Sequence, residues 1–234
     1  MLSSEGYSLH TQAEHAREHE HDFWKAVNLA QTAINTYLID GDYLGASEAL
    51  LSLALTYLQL FREHHDQPYL ILAESSTRAG IKIAESLSDT SGLALAYRGL
   101  AKIFEEQSKW EEVVANYQKA IFAFTENPPA DNNRPAVLAD MKAHLARAEY
   151  MSGDKNALEH INQAISELQQ ADEPPYNRDV WLSGAYMMAA QMLQLDNREL
   201  AIQYFHKAQA VIEANPELVL RRIQLQQLRE NLFG

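Results

Sequence analysis

The stretch Gly92–Phe124, GLALAYRGLAKIFEEQSKWEEVVANYQKAIFAF, decides how the rest of this chain reads. Tyr97, Leu100, Ala101 and Phe104 fall at i, i+3, i+4 and i+7, the spacing of one buried stripe on an α-helix. Val113, Tyr117, Ala120, Ile121 and Phe124 form a second such stripe. Only the polar run Glu105–Lys109 separates them, which is room for a tight turn, so the two helices are expected to lie back to back. A hairpin with two apolar stripes cannot bury both alone, and this predicts stacked copies.

Working outward, similar hairpins are expected on both sides. The first pairs a short polar helix near Leu9–Glu20 with one over Asp22–Ile39, where Phe23, Ala26, Ala30, Ala33 and Ile34 face inward and Asp40-Gly41-Asp42 closes it. The second runs through Leu50, Leu53, Ala54 and Tyr57, breaks at His64–Pro68 and returns over Tyr69–Leu87 with Leu72, Ala79 and Ile83 inward. After ENPPADNNRP (126–135), the fourth uses Leu138, Met141, Leu145 and Ala148. It turns at Ser152-Gly153-Asp154 and returns with Ala157, Ile161, Ala164, Ile165 and Leu168. The fifth carries Ala185, Met188, Ala189 and Met192, then Ala201, Phe205 and Ala208. Pro68, Pro128, Pro129, Pro135, Pro174, Pro175 and Pro216 all fall between these periodic stretches, where proline does least harm to helices. The first small or apolar positions of the second helices, 26, 72, 113, 157 and 201, recur at intervals of 46, 41, 44 and 44 residues.

The order Tyr97, Leu100, Ala101, Phe104, Trp110, Val113, Tyr117, Ala120, Ile121 resembles the tetratricopeptide repeat (TPR). The stretch Ile81–Gln107 is similar to the longer form found in bacterial regulator arrays. The resemblance implies an all-α, right-handed superhelix of about five hairpins (approximately 8–40, 44–88, 91–126, 136–171 and 178–214 within a domain 1–216). Residues 217–234 follow as a capping helix. It implies a non-catalytic module that holds a peptide or partner protein in a groove lined by the first helix of each hairpin. Arg98 and Lys102 point about 130° away from the apolar stripe at 100° per residue. Arg147 and Tyr150, Leu51 and Leu55, and Tyr186 stand at the aligned positions of the other first helices. The groove so read is positive in its middle and apolar at its ends, suited to a segment with acidic and apolar residues. Family members that clamp a terminal carboxylate use a basic pair where Arg98 and Lys102 stand, with Lys and Asn on earlier helices. Leu51 and Leu55 replace those here, so the complete clamp is absent.

Composition excludes several classes. The 234 residues, 47% hydrophobic, can bury a substantial core, and a formal charge of −13 argues against phosphate-backbone binding. Cysteine is absent, which removes thiolate catalysis and Cys-ligated zinc. The first 22 residues do not read as a secretory signal and no run reads as a membrane span, so a cytoplasmic location is expected. His15-Ala16-Arg17-Glu18-His19 matches the HxxEH spacing of some zinc peptidases, with His10 and His21 nearby. The segment is nevertheless polar and supplies no apolar cleft, so it reads as a solvated helix with no metal or other cofactor. Trp24, Trp110 and Trp181 are expected to wedge helices at turns or helix starts; Met187, Met188 and Met192 are a candidate adaptable surface, although two of them lie on the expected core stripe. Two alternatives remain open: a peptide or small-molecule sensor whose output a partner carries, and homo-oligomerisation through surplus apolar residues Leu225, Leu232 and Phe233.

Overall fold

The computed structural model describes residues 3–87, 92–127 and 134–234, and among them every regular element is helical. The helices are α1 (Ser4–His15), α2 (Phe23–Ile39), α3 (Tyr43–His64), α4 (Gln67–Ser86), α5 (Leu93–Glu106) and α6 (Trp110–Glu126). They continue with α7 (Pro135–Met151), α8 (Ala157–Gln170), α9 (Pro175–Leu193), α10 (Arg198–Ala214) and α11 (Val219–Phe233). One π-helical stretch, Ala16–Glu20, extends α1. The chain divides into two compact units, residues 1–109 with 122–130, and residues 110–121 with 131–234. Most of the 126–135 loop lies outside the described residues.

Local chemistry accounts for the helix boundaries. Ser3, Asp22, Asp42 and Asn197 cap α1, α2, α3 and α10, each side chain accepting a hydrogen bond from the backbone N–H three residues on. Prolines open α4, α7 and α9, where a missing N–H costs nothing. Gly41 and Gly153 take φ of 72° and 109° in the turns after α2 and α7, the left-handed region that glycine enters without strain.

In the first unit α1 packs on α2, α2 on α3, and α3 on α4, with α5 against both α3 and α4. α3 is long and apolar enough to cross a membrane by composition, yet two thirds of its apolar window is buried within the protein, the mark of a core helix. The Tyr37 ring is held between two glycines: an added Cβ would lie 2.7 Å from it at Gly6 and 2.4 Å at Gly45. Asp42 then ties the two helix starts together, accepting from the N–H of Ser3 (3.1 Å) and of Gly45 (3.0 Å). Burial first, and the Asp42 carboxylate second, push the Tyr37 hydroxyl up to about 12. An unfolded tyrosine ionises near 10, so between these values the unfolded chain loses a proton that the folded chain keeps. The thermal midpoint should therefore hold up to about pH 10 and fall from there to about pH 12, with Tyr37→Phe removing that part of the decline. An identical high-pH profile in both proteins would show that folding does not raise the pH at which Tyr37 ionises.

The burial of α4 departs from the sequence expectation. Leu72 is exposed and Ala79 and Ile83 only half-buried, while Leu70, Ala73, Thr77, Gly80, Ile81 and Ala84 face the core. The inward face is thus rotated from the one that its larger apolar residues suggest. Gly80 permits a close approach of α3, whose Ser47 hydroxyl donates to the Gly80 carbonyl at 2.9 Å. Thr77 is tolerated inside because its hydroxyl donates to the Ala73 carbonyl one turn back.

In the second unit α7 packs on α8 and α9 on α10, and α9 also touches α7, α8 and α11. All five residues expected inward on α8, from Ala157 to Leu168, are buried, as are Ala185, Met188, Ala189 and Met192 on α9. Met187 is buried with them, so the three methionines form core rather than surface. On α7 the buried positions are mainly alanines, whereas Leu138 and Leu145 are half-buried. α11 covers the last hairpin with Leu225, Leu228 and Leu232, preceded by Leu218.

Candidate partner-binding site

The seven candidate residues sort by unit: Leu51, Leu55, Arg98 and Lys102 belong to the first, Arg147, Tyr150 and Tyr186 to the second. On α5 the buried positions are Ala94, Ala96, Leu100, Ala101, Ile103 and Phe104, which leaves Arg98 and Lys102 on the opposite side. Every residue of α5 is at least half-buried, including these two, and both are engaged by other groups of the chain. Their stems therefore lie sheltered, a setting that screens charge less than open solvent does. On the neighbouring α3, Leu55 is 39% exposed, whereas Leu51 leans over Gly80 of α4, within 3.2 Å of where a Cβ would stand. Leu51 is consequently a packing residue with part of its surface left over.

In the second unit the expectation is corrected. Tyr150 and Tyr186 are each 6% exposed and belong to the hydrophobic core, so neither offers an apolar face to a ligand. The Tyr150 hydroxyl donates to Asp196, which also takes a hydrogen bond from Lys155, whose ammonium sits 4.1 Å from the Tyr150 ring centre. Burial, then the bond to Asp196, raises the Tyr150 hydroxyl above its ordinary value. The Tyr186 hydroxyl accepts from Gln169 at 2.8 Å. The physical reason is crowding: with four helices around it, α9 has no free side between Leu182 and Ala190. Arg147 is half-buried, with its guanidinium 5.4 Å above the Trp110 ring. Arg134 lies likewise 5.0 Å over Trp181, which also packs against the core of the unit, so each of these two indoles carries a cation on its face, and Trp24 is exposed.

The histidine-rich start of the chain is built around a residue that its spacing did not single out. Between His15 and His19 the helix widens to the π form, and Arg17 turns inward to donate to the carbonyl (3.0 Å) and hydroxyl (2.8 Å) of Ser52 on α3. His15 and His19 stay outside with ring centres 4.9 Å apart, and His15 pairs with Glu20 at 3.3 Å. Among the described residues no group of three His, Cys, Asp or Glu side chains converges as metal ligands would. Of the residues behind the homo-oligomer reading, Leu225 and Leu232 are buried, whereas Phe233 packs edge-on against Phe205 at 5.4 Å and stays exposed. The apolar residues that α11 does expose are Val219, Leu220, Ile223 and Phe233.

No protein-family model matches the sequence, and no curated protein matches it. Solved structures do. Nearly identical TPR-like repeats from Podosopora anserina share 13% identity at a TM-score of 0.63, over 92% of this chain and 98% of theirs. A single-substitution variant of the same protein gives 13% and 0.64, over 91% and 97%. The TPR2AB domain of yeast Sti1, solved in complex with pHSP90, shares 17% identity at a TM-score of 0.40, over 99% and 86%. The likeness is one of fold: this chain is an all-helical array similar in architecture to TPR-like helical repeats.

Proposed function

We propose that this chain is a non-catalytic interaction module whose first unit binds a peptide or partner segment along α3 and α5. Arg98 and Lys102 supply positive charge, and Leu55 with the free part of Leu51 supplies apolar contact. The observation that carries this reading is the sheltered cationic side of α5 in a chain of formal charge −13. A cation in a half-buried setting attracts an acidic side chain more strongly than one on an open surface. The ligand that fits is a segment with one or two acidic residues beside apolar ones. Tyr150 and Tyr186 have no part in it, and Arg147 serves the Trp110 contact.

The test compares the wild type with the paired substitution Arg98→Glu and Lys102→Glu, by co-purification from native lysate with bound proteins identified by mass spectrometry. A partner held by the wild type should bind the variant at least about tenfold more weakly, with the thermal midpoint nearly unchanged. Equal recovery of the same partners on both proteins would move the site elsewhere. A collapse in thermal midpoint would instead make the pair structural.

A further inference from the structure

Between α10 and α11 runs a groove of about 630 Å³, entirely within the second unit. Its floor is apolar, formed by Phe205, Ile212, Val219, Ile223 and Leu225. Val219 and Ile223 are 56% and 53% exposed, so the groove keeps apolar surface in water. Along its α11 wall Val219, Arg222, Gln226 and Arg229 follow at three- and four-residue steps, which places them on one stripe. The two arginines of that stripe are seven residues apart, two turns or about 10 Å along the axis. Arg229 makes no ion pair among the described residues, and Arg222 gives one N–H to the Pro216 carbonyl at 3.3 Å, leaving other donors to solvent. On the opposite wall Glu213 accepts from Gln209 at 2.7 Å.

From this geometry we infer that the α10–α11 groove binds an amphipathic helix of a partner protein that carries acidic residues at i and i+7 beside an apolar stripe. Two antiparallel helices, with Arg198 at the start of α10 bonded to the Leu232 carbonyl at the end of α11, leave an open furrow that accepts a third helix by taking its apolar side chains. A heptad step between the acids matches the spacing of Arg222 and Arg229, and those acids must point to the α11 wall because Glu213 repels them from the other. Charge complementarity also decides against a second copy docking through the same surface. A two-fold pairing would bring Arg222 and Arg229 of α11 against the same residues of its mate. This surface is independent of the α3–α5 site, so either can fail without the other.

The test uses fluorescein-labelled synthetic helical peptides of three heptads, with Leu at the a and d positions and Glu on one flank at seven-residue spacing, read by anisotropy against the intact chain. A second peptide carries Lys in place of each Glu. The acidic peptide should bind the wild type at least about tenfold more tightly than the basic one, and the pair Arg222→Glu with Arg229→Glu should reverse that preference. Ile223→Asp should weaken the acidic peptide while circular dichroism stays that of the wild type. Equal affinity for both peptides, or wild-type binding by the arginine variant, overturns the proposal. So does light scattering that finds a dimer dissociated by Ile223→Asp, because a second copy would then occupy the groove.

Discussion

Gly45→Ala should destabilise the protein by about 3 kcal/mol, although the same change in an open helix stabilises by about 1 kcal/mol. A Cβ at this position would stand 2.4 to 2.8 Å from three carbons of the Tyr37 ring. The ring has nowhere to go, since it is buried and Gly6 closes its other side at 2.7 Å. Relief must come from moving α3 away from α2, which also pulls on the Asp42 carboxylate that caps α3 and holds Ser3. Urea unfolding measures the change. Gly92→Ala is the control: nothing lies within 4 Å of its Cβ, so it should shift the midpoint little. A Gly45→Ala protein as stable as the wild type would mean that α2 and α3 do not approach as closely as described.

Arg221→Ala should cost about 3 kcal/mol or more, and it should change the effect of a second substitution nearby. The guanidinium is largely desolvated; its Nε donates to the Val180 carbonyl of α9 at 3.0 Å and its Nη1 to Gln224 at 2.7 Å. Burial pulls it below the usual arginine value, opposed chiefly by the charge of Asp140, itself buried on α7. Removing the arginine unpins α11 from α9 and takes a compensating charge from that carboxylate. Its Nη2 also fills the space beside Gly184, where a Cβ would come within 2.8 Å. Gly184→Ala should therefore be destabilising in the wild type and close to neutral once Arg221 is alanine, a coupling of about 1 kcal/mol or more in a double-mutant cycle. Additive effects of the two changes would show that the side chain does not occupy that space.

Much of the candidate site lay beyond sequence pattern for an identifiable reason. A helical wheel places Arg98 and Tyr186 at equivalent positions, as it does Lys102 and Arg147, and on α5 the buried residues lie away from Arg98 and Lys102. On α9 the same wheel fails, because four neighbours bury the helix on all sides and Tyr186 becomes core. Nothing in the periodicity of α9 announces how many helices will surround it. The inward turn of Arg17 had no pattern to reveal it either. Its signal would have been a partner, the Ser52 hydroxyl and carbonyl, 35 residues away in sequence.

Sequence alone establishes that the described chain is all helix, that its prolines and turn glycines fall at helix breaks, and that α8 and α10 present their Ala, Ile and Phe stripes inward. Those properties rest on caps, prolines and 3.6-residue spacing, and each is settled within a turn or two of chain. Only the tertiary structure decided that α4 turns Thr77 and Gly80 to the core, that α1 widens to bury Arg17, and that α11 closes over α9 while leaving a basic-edged furrow beside α10. These depend on which helices come close and how closely, which is a matter of small residues and paired polar groups contributed from distant parts of the chain.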